Sequence, residues 1–99
     1  MIELTTPEQF DALTGRFLVL FTASWCGPCR RMDKDILEEA AKEKSVPVYY
    51  SDDTVNPDLA KRFGINRVPT FCLFSGKECV GTKTSSDAIR VLLWLRGIL

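Results

Sequence analysis

Five consecutive apolar residues, Phe17 to Phe21, constrain the fold of this chain more than any other feature of its sequence. Successive residues of a strand point to opposite faces of a sheet, so a strand that is apolar throughout needs cover on both faces. The length of the run is that of a strand. It therefore predicts a central strand with helices on both sides of the sheet, which is an α/β architecture.

Shorter segments around this strand predict the rest of the sheet and its helices. The other predicted strands are Ile2–Leu4, Val46–Tyr50, Thr70–Phe74 and Glu78–Thr82. Helices are predicted from Pro7, from Cys29 to about Lys44, from Pro57 to Phe63, and from a cap at Ser85 or Ser86. The last two strands flank a turn that contains glycine and form a hairpin. The last helix is predicted to bury Ile89, Leu92, Leu93 and Leu95.

The predicted order is β-α-β-α-β-α-β-β-α, and it defines an α/β fold. Alternating strands and helices in the first part imply parallel pairing, and the hairpin adds an antiparallel edge. We predict a central mixed five-stranded sheet flanked by four helices, in a single domain that spans residues 1–99.

Composition narrows the function classes. Thirteen Lys and Arg balance 13 Asp and Glu, so there is no basic excess for binding nucleic acid. The chain has no histidine, which removes the commonest general base and the commonest metal ligand. No segment is long and apolar enough to span a membrane, and no targeting signal is evident. We expect a monomeric cytoplasmic protein with no metal, no cofactor and no nucleic-acid or membrane partner.

The residues that carry chemistry are Trp25-Cys26-Gly27-Pro28-Cys29, which lie where the central strand gives way to a helix. Free N–H groups and the positive dipole end of a helix N-terminus favour a thiolate at Cys26. Cys29 lies one turn further on, at disulfide distance and pointing inward. Gly27 permits the sharp entry, and Pro28 suits the first turn. An exposed thiolate beside a protected thiol is suited to thiol–disulfide exchange.

The chain resembles the thioredoxin family from end to end. The resemblance rests on W-C-G-P-C, on Val68-Pro69-Thr70 about forty residues later, and on the order of elements. It implies a thioredoxin fold, a cis bond before Pro69, and reduction of protein disulfides in which Cys26 attacks and Cys29 resolves. It also implies that Trp25, Arg67, Val68 and Pro69 receive the substrate. A partner of the thioredoxin-reductase type would then recharge the Cys26–Cys29 pair.

Four positions depart from the family pattern. Leu20 stands where most members carry a buried aspartate, and Tyr50 stands where a lysine usually faces it. Lys34 replaces the proline that often kinks the second helix, and Arg67 replaces a glycine. The aspartate is the group expected to take the proton of the resolving cysteine. Its absence predicts a reductase that is slow near neutral pH.

Other readings of the cysteines stay open. Cys72 and Cys79 could complete a zinc site with Cys26 and Cys29, or form a second disulfide. We favour buried free thiols, because diagonal neighbours on a hairpin are poorly placed for a bridge. For the whole chain, the alternatives to a reductase are a non-catalytic binding subunit and a less reducing disulfide oxidase or isomerase.

Overall fold

Five strands and five helices alternate along the chain in the computed structural model, which describes residues 1–99. The strands are β1 (Ile2–Glu3), β2 (Arg16–Thr22), β3 (Val48–Asp52), β4 (Thr70–Ser75) and β5 (Glu78–Thr84). The helices are α1 (Pro7–Asp11), α2 (Gly27–Arg31), α3 (Lys34–Glu43), α4 (Pro57–Arg62) and α5 (Ala88–Ile98). None of these helices is long and apolar enough to cross a membrane.

Strand β2 lies at the centre of a single sheet whose order is β1-β3-β2-β4-β5. It runs parallel to β3 and antiparallel to β4. Phe17, Val19 and Phe21 pack into the core beneath α1 and α4, while Leu18 and Leu20 pack into the core beneath α3 and α5. The predicted mixed sheet, with its apolar central strand covered on both faces, is confirmed.

The helix predicted from Cys29 to about Lys44 is divided into α2 and α3. Met32 has extended backbone angles and ends α2. The Asp33 carboxylate accepts two backbone N–H groups in the first turn of α3 and caps it. The Lys34 ammonium donates to the Cys29 carbonyl oxygen at 2.6 Å, which satisfies an acceptor left free at the end of α2. The sheet is therefore flanked by five helices, one more than predicted.

Helix α5 buries only part of the face predicted for it: Leu95 is buried and Leu92 packs against the core, but Ile89 and Leu93 do not. Its cap is Asp87, which accepts two backbone N–H groups, rather than Ser85 or Ser86. Ile89 and Leu93 are 53% and 61% exposed, so they lie outside the core. Both stripes have helical spacing, and packing against the sheet selects one of them. The buried positions are Ala88, Val91 and Leu95.

The cap at the start of α3 gives a first test of this fold. Asp33→Ala should lower the free energy of unfolding by about 1 kcal/mol, because two N–H groups lose their acceptor. Asp33→Asn should retain most of that stability, since its side-chain oxygen can still accept. Urea unfolding of the oxidised protein measures both. An alanine variant as stable as the parent would show that the interhelical break does not depend on the cap.

Candidate active site

Cys26 and Cys29 are joined by a disulfide at the start of α2, with their Cα atoms 5.3 Å apart. Cys26 has extended backbone angles and is the residue that caps α2. Its Sγ accepts the Cys29 backbone N–H at 3.2 Å. The cap of this helix is therefore a sulfur atom, and the N–H that reaches it would stabilise a negative charge on that sulfur.

The two sulfur-bearing residues are nearly equal in exposure in the disulfide form. Cys26 is 4% exposed and Cys29 is 1% exposed, so the wide exposure expected of Cys26 is not found. The neighbouring Trp25 is 69% exposed and Pro28 is also exposed. A guanidinium nitrogen of Arg31 lies so close to Gly27 that a Cβ built there would be 3.0 Å from it. The disulfide therefore lies just under a surface formed by Trp25, Pro28 and the Arg31 side chain.

The segment Arg67–Thr70 approaches this disulfide from the start of β4. The Val68–Pro69 bond is cis, as the resemblance implied. The Val68 carbonyl oxygen is 4.0 Å from the Cys26 Sγ, and the Val68 side chain packs with both cysteines. Pro69 is buried, whereas Arg67 is exposed. The Thr70 hydroxyl donates to the Arg67 carbonyl oxygen at 2.7 Å and holds the segment in a turn. The residues expected to receive substrate thus lie together on one side of Cys26.

Asp52 holds the loop that precedes the disulfide, a role that the sequence did not indicate. Asp52 is half-buried at the end of β3. Its carboxylate accepts the Ser24 N–H at 3.3 Å and the Ser24 hydroxyl. It also accepts the Thr54 N–H at 2.9 Å and the Thr54 hydroxyl at 2.6 Å. The spacing of Asp52 and Thr54 is typical of an Asx turn, which is the one local signal of this role.

These bonds also set the charge state of Asp52. Burial alone would raise the pKa of this carboxyl, but hydrogen bonds from Ser24 and Thr54 stabilise the ionised form and hold its pKa below the ordinary 3.8. Ser24, which is hydrogen-bonded to this carboxylate, directly precedes Trp25 in the sequence. The ionised Asp52 therefore fixes the start of the active-site loop.

A groove of about 370 Å³ runs beside Trp25, between the end of β3 and the Arg67–Val68 segment. Asp53 and Arg67 lie along it, so both charge signs are present. The hydroxyl of Ser51 also lines the groove, is buried, and has no hydrogen-bond partner. The groove offers an extended peptide both apolar walls and polar groups beside the disulfide.

Leu20 stands six residues before Cys26, at the position where the family usually has an acid. It is fully buried in β2 and is paired with Tyr50 on one side and with Phe71 on the other. The Tyr50 hydroxyl donates to the Glu3 carboxylate at 3.3 Å. Burial and the nearby Glu3 charge raise the pKa of Tyr50, so this phenol stays protonated at neutral pH. The residues paired with Leu20 on the sheet therefore supply no carboxylate and no lysine.

The four cysteines do not converge on one site. Cys72 and Cys79 are free thiols, of which Cys72 is buried and Cys79 is partly exposed. Both pack into the core around Phe10, whereas Cys26 and Cys29 pack with each other in a separate cluster. A zinc site that combines the two pairs is therefore wrong.

The contacts of Asp52 lead to a prediction for stability and pH. Asp52→Ala should lower the free energy of unfolding at pH 7 by about 1 kcal/mol, a value reduced for partial exposure to solvent. Because the folded-state pKa is depressed, this stabilisation is present above about pH 4 and is lost as the pH falls through the folded-state pKa. In urea unfolding experiments, the difference in the free energy of unfolding between parent and variant should therefore become smaller towards pH 3.

Asp53→Ala is the matched control, because Asp53 is an exposed neighbour that makes no side-chain hydrogen bond. It should change stability by less than about 0.5 kcal/mol at either pH. An equal decrease in the free energy of unfolding for Asp52→Ala and Asp53→Ala would contradict the role assigned to Asp52.

Known proteins share both the sequence pattern and this geometry. A family model described as Thioredoxin matches residues 2–92. A thioredoxin of Buchnera aphidicola is 39% identical over 91 residues, which cover 87% of this chain and 83% of the relative. A thioredoxin of Chlamydia caviae is 32% identical over 98 residues, which cover 93% and 96%. A bifunctional thioredoxin reductase/thioredoxin of Mycobacterium leprae is 38% identical over an alignment of 100 residues, gaps included. The alignment covers 92% of this chain but 22% of that longer protein.

Solved structures agree on the fold. A Plasmodium falciparum thioredoxin matches with a TM-score of 0.87 at 20% identity, over 100% of both chains. A Fasciola hepatica thioredoxin matches with a TM-score of 0.85 at 24% identity, over 98% of both chains. These likenesses confirm the predicted thioredoxin fold. With a disulfide across C-x-x-C at a helix start, the chain belongs to the thioredoxin family and is a thiol–disulfide oxidoreductase that reduces protein disulfides.

Proposed function

We propose that Cys26 is the attacking thiol of this reductase and that Cys29 is the resolving thiol. The observation that supports these roles is the hydrogen bond from the Cys29 N–H to the Cys26 Sγ at the start of α2. In the reduced protein, this N–H and the helix N-terminus stabilise a thiolate at Cys26. The Val68 carbonyl oxygen lies 4.0 Å from the Cys26 Sγ, so a peptide docked on this segment meets Cys26 first.

The reaction then proceeds in two balanced exchange steps. The Cys26 thiolate attacks one sulfur of the substrate disulfide, a mixed disulfide forms, and the other substrate sulfur leaves as a thiolate. Cys29 loses its proton and attacks the Cys26 Sγ, which releases the second substrate sulfur as a thiolate. The substrate disulfide is reduced to two thiols, and the protein dithiol is oxidised to the Cys26–Cys29 disulfide. Gly27 and Pro28 set the spacing that permits the second attack.

Substrate docks on Trp25 and on the segment formed by Arg67, Val68 and Pro69. Trp25 is a large exposed apolar side chain next to the reacting sulfur, which is unusual enough on a surface to favour a docking role. The Val68 carbonyl oxygen lies 4.0 Å from the Cys26 Sγ, so a peptide paired with this backbone is held against the attacking atom. Arg67 adds a positive charge at the edge of the groove.

The oxidised chain is returned to the dithiol by an electron donor of the thioredoxin-reductase type. A relative in which reductase and thioredoxin form one protein supports this choice of partner. The chain works as a monomeric carrier of electrons in the cytoplasm, as one domain over residues 1–99. It takes disulfide-containing proteins as substrates, and it needs no metal, cofactor, nucleic acid or membrane.

Reduction of insulin disulfides, with a chemical dithiol as electron source, tests these roles. Cys26→Ser should abolish turnover, because the attacking sulfur is gone. Cys29→Ser should also stop turnover, and the reduced variant mixed with insulin in the absence of free dithiol should accumulate a mixed disulfide at Cys26, which mass spectrometry detects. Accumulation on Cys29 in the Cys26→Ser variant would reverse the assignment. A parent protein that binds partners but reduces no insulin disulfide would make the chain a non-catalytic subunit instead.

Leu20 makes the second exchange step the slow one. An apolar side chain cannot take the proton of Cys29, so this proton must leave through solvent. The Lys34 ammonium is bonded to the Cys29 carbonyl oxygen and has no lone pair with which to accept the thiol proton. Turnover is therefore slow near neutral pH and climbs towards the ordinary thiol pKa of about 8.5.

Leu20→Asp should reverse this behaviour. The buried carboxylate can accept the Cys29 proton, so turnover at pH 7 should rise by about tenfold or more, within the range known for general bases. The same substitution should lower the free energy of unfolding by about 3 kcal/mol, since it buries a charge without a partner. Insulin reduction as a function of pH and urea unfolding measure the two effects.

Leu20→Asn is the matched control, because asparagine has the shape of aspartate and is polar but cannot ionise. It should lose similar stability and gain no activity. If Leu20→Asn accelerates turnover as much as Leu20→Asp, or if neither does so while folded, resolution by Cys29 is not limited by the missing acid.

A further inference from the structure

Two cysteines outside the active site lie on one face of the β4–β5 hairpin. Cys72 is paired with Thr82 in β5, and Cys79 is paired with Phe74 in β4, so the cysteines are diagonal neighbours. Both side chains pack into the core around Phe10. The active-site disulfide belongs to a different cluster and has no part in their packing.

The two thiols are neighbours in this core. The Cys79 thiol donates to the Gly81 carbonyl oxygen at 3.5 Å. Burial raises the pKa of the Cys72 thiol, and the adjacent Cys79 sulfur raises it further. Two thiols therefore lie side by side in an otherwise apolar core.

A β-bulge lies next to Cys79 in β5. Leu73 is paired with Gly81 while Phe74 is paired with Cys79, so Val80 has no partner in β4. A bulge bends its strand and increases the local twist. In addition, β5 is at the edge of the sheet and is held on one side only. A disulfide needs the two Cα atoms within about 7 Å, and a bulged edge strand is the part of the sheet that is held least against such a movement.

The two thiols differ in access. Cys72 is fully buried, whereas Cys79 is partly exposed near the sheet edge. A small reagent in solution therefore reaches Cys79 first, and Cys72 reacts only through Cys79. An accessible thiol with a sheltered thiol behind it is the arrangement that closes a disulfide by exchange.

We propose that Cys72 and Cys79 form a second redox centre, which closes to a disulfide by exchange with small disulfides of the oxidised glutathione class. The Cys79 thiolate attacks one sulfur of the small disulfide, a mixed disulfide forms at Cys79, and one small thiolate leaves. Cys72 then loses its proton to solvent and attacks the Cys79 Sγ, which releases the second small thiolate. Two protein thiols are oxidised, and one small disulfide is reduced to two thiols.

This centre works on a different timescale from the active site. Burial disfavours the Cys72 thiolate, so closure is slow and follows sustained oxidation rather than each substrate turnover. The bridge would tie β5 to β4, the strand that begins directly after Pro69. The chain then carries two separate dithiols. Cys26 and Cys29 react with substrates, and Cys72 and Cys79 become oxidised in an oxidising environment.

The test uses a chain with Cys26→Ser and Cys29→Ser, in which Cys72 and Cys79 are the remaining thiols. Folded protein, verified by circular dichroism, is incubated with oxidised glutathione, quenched with acid at intervals and analysed by intact mass and peptide mapping. We expect a transient glutathione adduct at Cys79 and then a product lighter than the dithiol by two hydrogens, with Cys72 linked to Cys79. A chemical dithiol should restore the starting mass.

Two further variants in the same background act as controls. Cys72→Ala should keep its adduct at Cys79, since the resolving thiol is gone, and Cys79→Ala should leave Cys72 unmodified. Cys72→Ala in the parent chain should still reduce insulin, which shows that it folds. A lasting adduct at Cys79 with Cys72 present, or no reaction at either thiol, would overturn the proposal. Because the active-site thiols are absent, neither result depends on the roles assigned to Cys26 and Cys29.

Discussion

The burial of β2 between two cores is the constraint on which the rest of the structure depends. Every residue from Phe17 to Phe21 is at most 1% exposed, and the strand is hydrogen-bonded to a neighbour on each side. Such a strand cannot slip by one residue, because a slip moves Arg16 or Thr22, which flank the apolar run, into a fully buried position. Its carboxyl end is therefore fixed, and the active-site loop starts from that end. The packing of β2, which ends at Thr22, therefore determines the position of Cys26.

The site adds two local restraints to that fixed end. The Asp52 carboxylate ties Ser24 to the end of β3, and the Cys26 sulfur caps α2. The first restraint requires an ionised acid, and the second is strongest when the sulfur is negatively charged. Both restraints therefore depend on electrostatics rather than on the volume of the side chains. This differs from the sheet below, where apolar packing decides the geometry.

Much of the fold and the central motif could be predicted from the sequence, because their signals are local. The apolar run Phe17–Phe21 is a continuous pattern, and W-C-G-P-C is a continuous motif. The role of Asp52 could not be predicted, since its partner Ser24 is 28 residues away and approaches only through the pairing of β2 with β3. Ile89 and Leu93 of α5 were predicted to be buried and are exposed. They are apolar and have the same helical spacing as the residues that are buried. In both cases the missing information is which elements pack together.

The two edges of the sheet have a consequence for how the chain handles its substrates. At one edge β1 has two residues, and at the other edge β5 is interrupted by the bulge at Val80. Neither edge offers a long, flat row of free N–H and C=O groups to which another chain could add a strand. An extended polypeptide that is delivered to the active site therefore finds no template for aggregation on the same molecule. The irregular edges therefore separate the docking of a substrate beside Cys26 from the pairing of that substrate with the sheet.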